Sequence, residues 1–226
     1  LNNFLALNYD VKIFLREFIK LKKYSCNYKW IDRCIKWKIK YPRVLEKWRK
    51  QKNFVNPYYF IEKLSSKLKN SDIIVADDGA HLTWAVQAFK IKFGQEFFSA
   101  YGNSPMGYAF PAAIGASIAT KKKKVICIDG DGSIQINIQE LHTMVQNKLP
   151  IKLFILNNSG YGIIKQFQEL YLSKRFEASG KGVTNPNFKN ISKAYGVNYT
   201  EIKNHSEINL KLERVLKSNK PEFINV

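Results

Sequence analysis

The side chains best placed to do chemistry together are Asp131, inside Gly130-Asp131-Gly132-Ser133, and Asn158, inside Asn157-Asn158-Ser159-Gly160. Each group follows an apolar run, Ile126-Cys127-Ile128 in one case and 151–156 in the other. Asp131 offers a charged oxygen, Asn158 a neutral amide oxygen, and a turn such as Ser159-Gly160 a backbone carbonyl. Oxygen donors of this kind suit Mg²⁺, which takes an octahedron at roughly 2.0–2.1 Å and shares it with phosphates and water. Gly130 and Gly132 let the backbone turn tightly and bring amide hydrogens up to phosphate oxygens. Singly, Asp-Gly and Asn-Ser-Gly are ordinary loop formers. Together, at this spacing, they point to a cation and a diphosphate.

Positioning both groups requires strand, glycine turn, helix, strand and polar turn in that order. Ile138, Leu141, Met144, Val145 and Leu149 recur at helical spacing, which predicts a helix over 136–149. Both turns then leave the sheet at one carboxyl edge, where open α/β folds bind ligands, and the positive helix end faces the same place. Similar alternation runs from Pro57 to the end. Helices are expected over 58–69, 82–89, 111–120, 160–171, 188–195 and 205–218, and strands over 72–76, 97–100, 197–199 and 221–226, with a loop over 175–186. The fold class is α/β, a parallel β-sheet with helices on both faces.

The stretch "GDGSIQINIQELHTMVQNKLPIKLFILNNSGYG" resembles the thiamine-diphosphate signature of the acetolactate synthase and pyruvate decarboxylase superfamily. "DDGAHLTWAVQAF" and "GNSPMGYAFPAAIGASIA" are similar to blocks that precede it in acetolactate synthases, and "GIIKQFQELY" to the helix that follows. "WIDRCIKWKIKYP" resembles the segment that leads into this cofactor domain from a middle domain. The resemblance covers about residues 28–226 and implies a thiamine diphosphate-binding fold.

Carried over by position, the resemblance makes Asp131, Asn158 and Gly160 (through its carbonyl) the Mg²⁺ ligands. Gly130, Gly132 and Ser133 match the diphosphate turn. Gly79 and His81 match a Gly-Gln-His loop in which Ala80 replaces the glutamine. Met106 falls where a large apolar residue bends the cofactor, Gly107 at a backbone contact to its aminopyrimidine, and Ile163 beside the site. His81 is otherwise a partly buried structural histidine, Met106 core filler, and Glu140 a solvent-facing or capping carboxylate.

The implied activity is decarboxylation of a 2-oxo acid such as pyruvate and transfer of the two-carbon unit, as in branched-chain amino acid biosynthesis. Ile163, Ile164 and Phe167 stand where acetolactate synthases carry Met, Val and Trp, which leaves the acceptor, and other 2-oxo acid decarboxylases, open. The activating glutamate belongs to a pyrimidine-binding domain, which these residues do not supply. It is expected upstream or on a second subunit of a homo-oligomer, so no catalytic residue is assigned here. A non-catalytic remnant is the alternative, against which the intact ligand positions stand.

Residues 1–55 are basic and aromatic, and read as one or two helices left from a middle domain or linker; 56–226 form the cofactor domain. The stripe Trp30, Cys34, Trp37 and Tyr41 reads as a packing face. The net charge of +19, with Lys121 to Lys124 as its densest run, raises nucleic-acid binding. The basic residues are otherwise scattered and match no nucleic-acid-binding motif. Three cysteines (Cys26, Cys34, Cys127) make no disulfide framework, and Cys127 reads as buried in a strand. Without a secretory signal or an apolar stretch long enough for a membrane, the expectation is a cytoplasmic protein with neither membrane nor nucleic-acid partner.

Overall fold

The structure, a computed structural model, describes residues 6–21, 27–121, 123–180 and 182–226. Tyr24, Cys26 and Lys122 lie outside the described residues. The chain divides into two compact units, Leu1–Pro42 and Arg43–Val226.

The first unit holds α1 (Val11–Lys20) and α2 (Tyr28–Lys40). Asp10 caps α1 by accepting from the amides of Lys12 and Ile13, and Asn27 caps α2 by accepting from that of Trp30. Trp30 and Trp37 meet edge to face along α2, 5.7 Å between centroids.

The second unit begins with α3 (Glu46–Arg49) and α4 (Pro57–Lys67). Residues 43–55, expected with the basic segment, pack here. Val44 is buried, Trp48 stacks on Tyr58 at 4.4 Å, and Arg49 makes a two-pronged ion pair with Glu62. His205 completes the tie: its Nε2 accepts from the Asn56 amide (2.9 Å) and its ring packs on Tyr59.

Next come β1 (Ile73–Ala76), α5 (Ala80–Ala88), β2 (Glu96–Phe98), α6 (Ala109–Ala119) and β3 (Val125–Gly130). A 3₁₀ stretch (Ser133–Asn137) precedes α7 (Glu140–Gln146), β4 (Ile151–Leu156), α8 (Gly162–Tyr171), α9 (Phe188–Ala194), β5 (Asn198–Glu201), α10 (His205–Lys217) and β6 (Glu222–Asn225). The six strands form one parallel sheet in the order β2-β1-β3-β4-β6-β5. β3 and β4 are buried along their whole length because both faces are covered.

Alternate strand residues serve opposite cores. Ile74, Ile126, Phe154 and Ile224 face α4, α5 and α10, while Val75, Cys127, Leu153 and Phe223 face α6, α7 and α9. Helices therefore cover both faces, as expected. One element differs. The helix expected over 136–149 is shorter, a 3₁₀ stretch over Ser133–Asn137 followed by α7, and the Gln135 and Asn137 side chains anchor the stretch to the Asp131 and Gly107 carbonyls (2.8 and 2.6 Å). Its apolar stripe survives in Leu141, Met144 and Leu149, all fully buried. Among the described residues no helix is long and apolar enough to cross a membrane.

At the edge of the sheet away from the turns, Lys152 is fully buried, donating to the Lys220 carbonyl (2.6 Å) with Glu222 at 3.9 Å. Burial outweighs Glu222 and pushes the ammonium down to about 8. An unfolded lysine titrates near 10.4. Between those values the unfolded chain holds a proton that the fold does not, so stability rises with pH across that window, by on the order of 3 kcal/mol in full. The urea midpoint should therefore increase from pH 7.5 to 9.5, and Lys152→Met should flatten that increase. Identical pH profiles for the two proteins would refute it.

Candidate functional site

The strand order places a switch point between β1 and β3, since the chain leaves β1 towards β2 and β3 towards β4. The helices that follow, α5 and α7, cover opposite faces, so a crevice opens between the strand ends. That cleft has a volume of about 80 Å³ and opens to solvent. Three strand ends supply it: β1 through Gly79 and His81, β3 through Gly130 to Ser133, and β4 through Asn158 and Gly160. Met106 and Ile163 also line it, as do Trp84 and Tyr161, which sequence patterns did not single out. Gly107 does not line it. With φ at +84°, it carries the bend behind Met106.

Glycines shape the floor by the room they leave. The His81 ring lies between two backbones: a Cβ on Gly79 would sit 2.5 Å from its Cε1, and one on Gly130 would sit 2.8 Å from its Nδ1. A Cβ on Gly132 would strike the Tyr161 ring at 2.3 Å. The Gly130–Ser133 turn is thus bare backbone backed by two packed rings. Ser133 is buried, its Oγ accepting from the Gly130 amide at 3.3 Å.

Beneath the floor lie Asp77, His81 and Asp129, all buried, with ligand-type atoms within 4.8 Å of one another. Burial lowers His81 to about 4, so its imidazole is neutral near pH 7. Burial raises Asp129 well above the ordinary carboxylate range, with the Asp77 charge adding to it. Both Asp77 oxygens are occupied, accepting from the amides of Gly107 (2.8 Å) and Ala109 (2.7 Å). Asp77 thereby hangs the Met106 loop from the end of β1, a role that no local signal beyond its place after an apolar strand announces.

Hydrogen bonds onto Asp131 tie the turns after β3 and β4 together. Oδ2 of Asp131 accepts from the Gly160 amide (3.0 Å) and from Nδ2 of Asn185 (2.6 Å). Asn157 braces the second turn, accepting from the Ser159 amide (3.1 Å) and donating to Asn225 (3.2 Å). Asn158 is exposed, its Nδ2 2.9 Å from where a Cβ on Gly162 would be. At Gly160 a Cβ would lie 2.8 Å from the Ser179 carbonyl, because the 172–187 loop doubles back over this turn. Asn185 and Ser179 sit in what sequence patterns show only as a loop. Asn185-Pro186 marks a turn and nothing more.

The oxygens available here (Asp131 carboxylate, Asn158 amide, Gly160 carbonyl) fit Mg²⁺ in kind, and the bare glycine turn fits a diphosphate. Glu140 opens α7, where a carboxylate complements the helix N-terminus. Ile163, Ile164 and Phe167 form an exposed apolar strip on α8. In the basic run, Lys124 is committed to the fold, donating to the Leu216 carbonyl at 2.5 Å.

Residues 77–226 match the family described as thiamine pyrophosphate enzyme, C-terminal TPP binding domain. Over 98% of its length the chain is 33% identical to the acetolactate synthase large subunit of Cyanidium caldarium. It is 31% identical to the acetolactate synthase isozyme 2 large subunit of Escherichia coli K12 over 74% of its length. Over the same share it is 36% identical to a probable acetolactate synthase large subunit of Methanocaldococcus jannaschii. It spans 38%, 30% and 28% of those relatives' own lengths.

Proposed function

The chain belongs to the thiamine pyrophosphate enzymes as their carboxyl-terminal cofactor-binding domain, and from that premise we propose that it anchors thiamine diphosphate and Mg²⁺ in an acetolactate synthase-like enzyme. That enzyme decarboxylates a 2-oxo acid such as pyruvate and transfers the two-carbon unit to an acceptor in branched-chain amino acid biosynthesis. One observation carries the proposal: the Gly160 amide on Asp131 locks the turns after β3 and β4 into a single oxygen-rich edge of one cleft.

When bound, thiamine diphosphate supplies a thiazolium electron sink for the decarboxylation. This chain's residues anchor and desolvate. Asp131, Asn158 and the Gly160 carbonyl would hold Mg²⁺, and the Gly130–Ser133 turn would receive the diphosphate over a neutral His81. Met106, held on the loop that Asp77 fastens, would support the bend between the cofactor's rings. Ile163 and Ile164 line the same cleft and would keep the reacting end apolar. We place the activating glutamate on a pyrimidine-binding domain of the same longer polypeptide or of a second subunit, in a cytoplasmic homo-oligomer. A different 2-oxo acid or acceptor would be selected at Ile163, Ile164 and Phe167.

Titration calorimetry tests the anchoring role. Thiamine diphosphate should bind only with Mg²⁺ present, and thiamine monophosphate, lacking the second phosphate, should bind far more weakly. Equal binding of both compounds, with or without Mg²⁺, would sink the proposal.

A further inference from the structure

We infer that Asn185 is a positioning residue for the metal site: it fixes which oxygen of Asp131 faces the cation. The inference rests on the assignment of Asp131 as a Mg²⁺ ligand and deepens it.

Three contacts meet at the Asn185 carboxamide. Its Nδ2 donates to Asp131 Oδ2 at 2.6 Å and to Asn157 Oδ1 at 3.2 Å. Its Oδ1 accepts from Gln135 Nε2 at 3.3 Å, and the same Gln135 nitrogen donates to the Asp131 carbonyl at 2.8 Å. The Asn185 amide is therefore held in one orientation, oxygen towards Gln135 and nitrogen towards Asp131. Asn157, which takes the other Nδ2 bond, is the residue that braces the second turn. One carboxamide on the 172–187 loop thus ties together the turns after β3 and β4.

The consequence falls on Asp131. Oδ2 receives two donors, the Gly160 amide and Asn185, which occupy its lone-pair directions. Among the described residues no donor reaches Oδ1, which is left to act as the ligand oxygen. A carboxylate free to rotate would present either oxygen, or both, to the cation. Mg²⁺ demands near-ideal octahedral geometry, whereas Ca²⁺ accepts bidentate carboxylates and variable coordination. Holding Oδ2 away from the cation favours single-oxygen ligation, so Asn185 contributes to selectivity for the smaller ion as well as to affinity. Residues that orient metal ligands change metal affinity by about 10–100-fold when removed.

The test uses Mn²⁺ with inorganic diphosphate as the probe, free Mn²⁺ being read by electron paramagnetic resonance, and Mg²⁺ and Ca²⁺ competed against it. Asn185→Ala and the isosteric Asn185→Leu are compared with the unaltered chain, folding being followed by far-ultraviolet circular dichroism. The expected result is a loss of Mn²⁺ and Mg²⁺ affinity of about tenfold or more, with a smaller loss for Ca²⁺. A folded Asn185→Leu variant with affinities within about twofold of the unaltered chain would overturn the inference, as would equal losses for Mg²⁺ and Ca²⁺, the mark of general loosening. If neither variant folds, Gln135→Leu, which frees the Asn185 oxygen and leaves its nitrogen in place, carries the same Mg²⁺-to-Ca²⁺ comparison. No Mn²⁺ uptake by the unaltered chain would instead remove the metal assignment itself, and the inference with it.

Discussion

Asp131→Ala should abolish Mg²⁺-dependent binding of thiamine diphosphate. Asp131 is the sole charged oxygen donor assigned to the metal, and it is almost entirely buried. Deleting it leaves a divalent cation with neutral ligands and a diphosphate whose charge is poorly neutralised. It also leaves the Gly160 amide and Asn185 nitrogen aimed at an empty position. Removing one partner from a buried charge pair costs about 3–5 kcal/mol. Even the lower figure weakens binding by about a hundredfold. Titration calorimetry of the variant at millimolar Mg²⁺ should show no saturable heat in the range that saturates the unaltered protein. Retained affinity within about threefold would show that the charge at this turn is not a metal ligand.

Gly130→Ala should destabilise the fold by about 3 kcal/mol. The added methyl would lie 2.8–2.9 Å from Nδ1 and Cε1 of His81. The ring is already crowded by the Gly79 backbone, where an added Cβ would lie 2.5 Å from its Cε1. The Gly130 backbone is held in the sheet by its pairing with Leu156. The clash is therefore relieved only by moving the ring or the strand end, and overpacking of buried sites costs 1–3 kcal/mol or somewhat more. The clamp makes a sharper statement about coupling. Gly130→Ala combined with His81→Ala should be less destabilised than the sum of the two single variants, since the second substitution removes what the first strikes. Urea midpoints of the four proteins measure this. Strict additivity would mean that the ring is not held between the two glycines.

How much of this was legible beforehand depended on the range of the interactions involved. β4 falls where the apolar run 151–156 put it, and β3 extends its run to Gly130, because continuous burial and flanking turn residues are local signals. The same holds for the parallel sheet and for the strand-end placement of Asp131 and Asn158. The 3₁₀ stretch from Ser133 was not legible. The stretch is anchored by the Asn137 side chain on the Gly107 carbonyl, 30 residues away in the chain, which no local pattern shows. Asp77 and Asn185 escaped for the same reason: their partners lie 30, 32 and 54 residues off, and nothing in an Asp-Asp-Gly or Asn-Pro turn announces them. Val44 and Trp48 look in sequence like members of a basic aromatic segment, yet they pack within the unit Arg43–Val226. Only the stacked Tyr58 and the core beneath show where they belong.

The parallel sheet also has a kinetic meaning. No two neighbouring strands here are joined by a hairpin, and each pairing waits for a crossover to close. The cleft takes residues from the ends of β1, β3 and β4, and its Asp131 is held by a residue 54 positions further along, so none of these segments can build it alone. Sheets built from such distant pairings form slowly. The cleft is then complete only once these distant segments have paired. Because a ligand that recognises only the finished state draws the population towards it, cofactor supply and successful maturation of the polypeptide become linked.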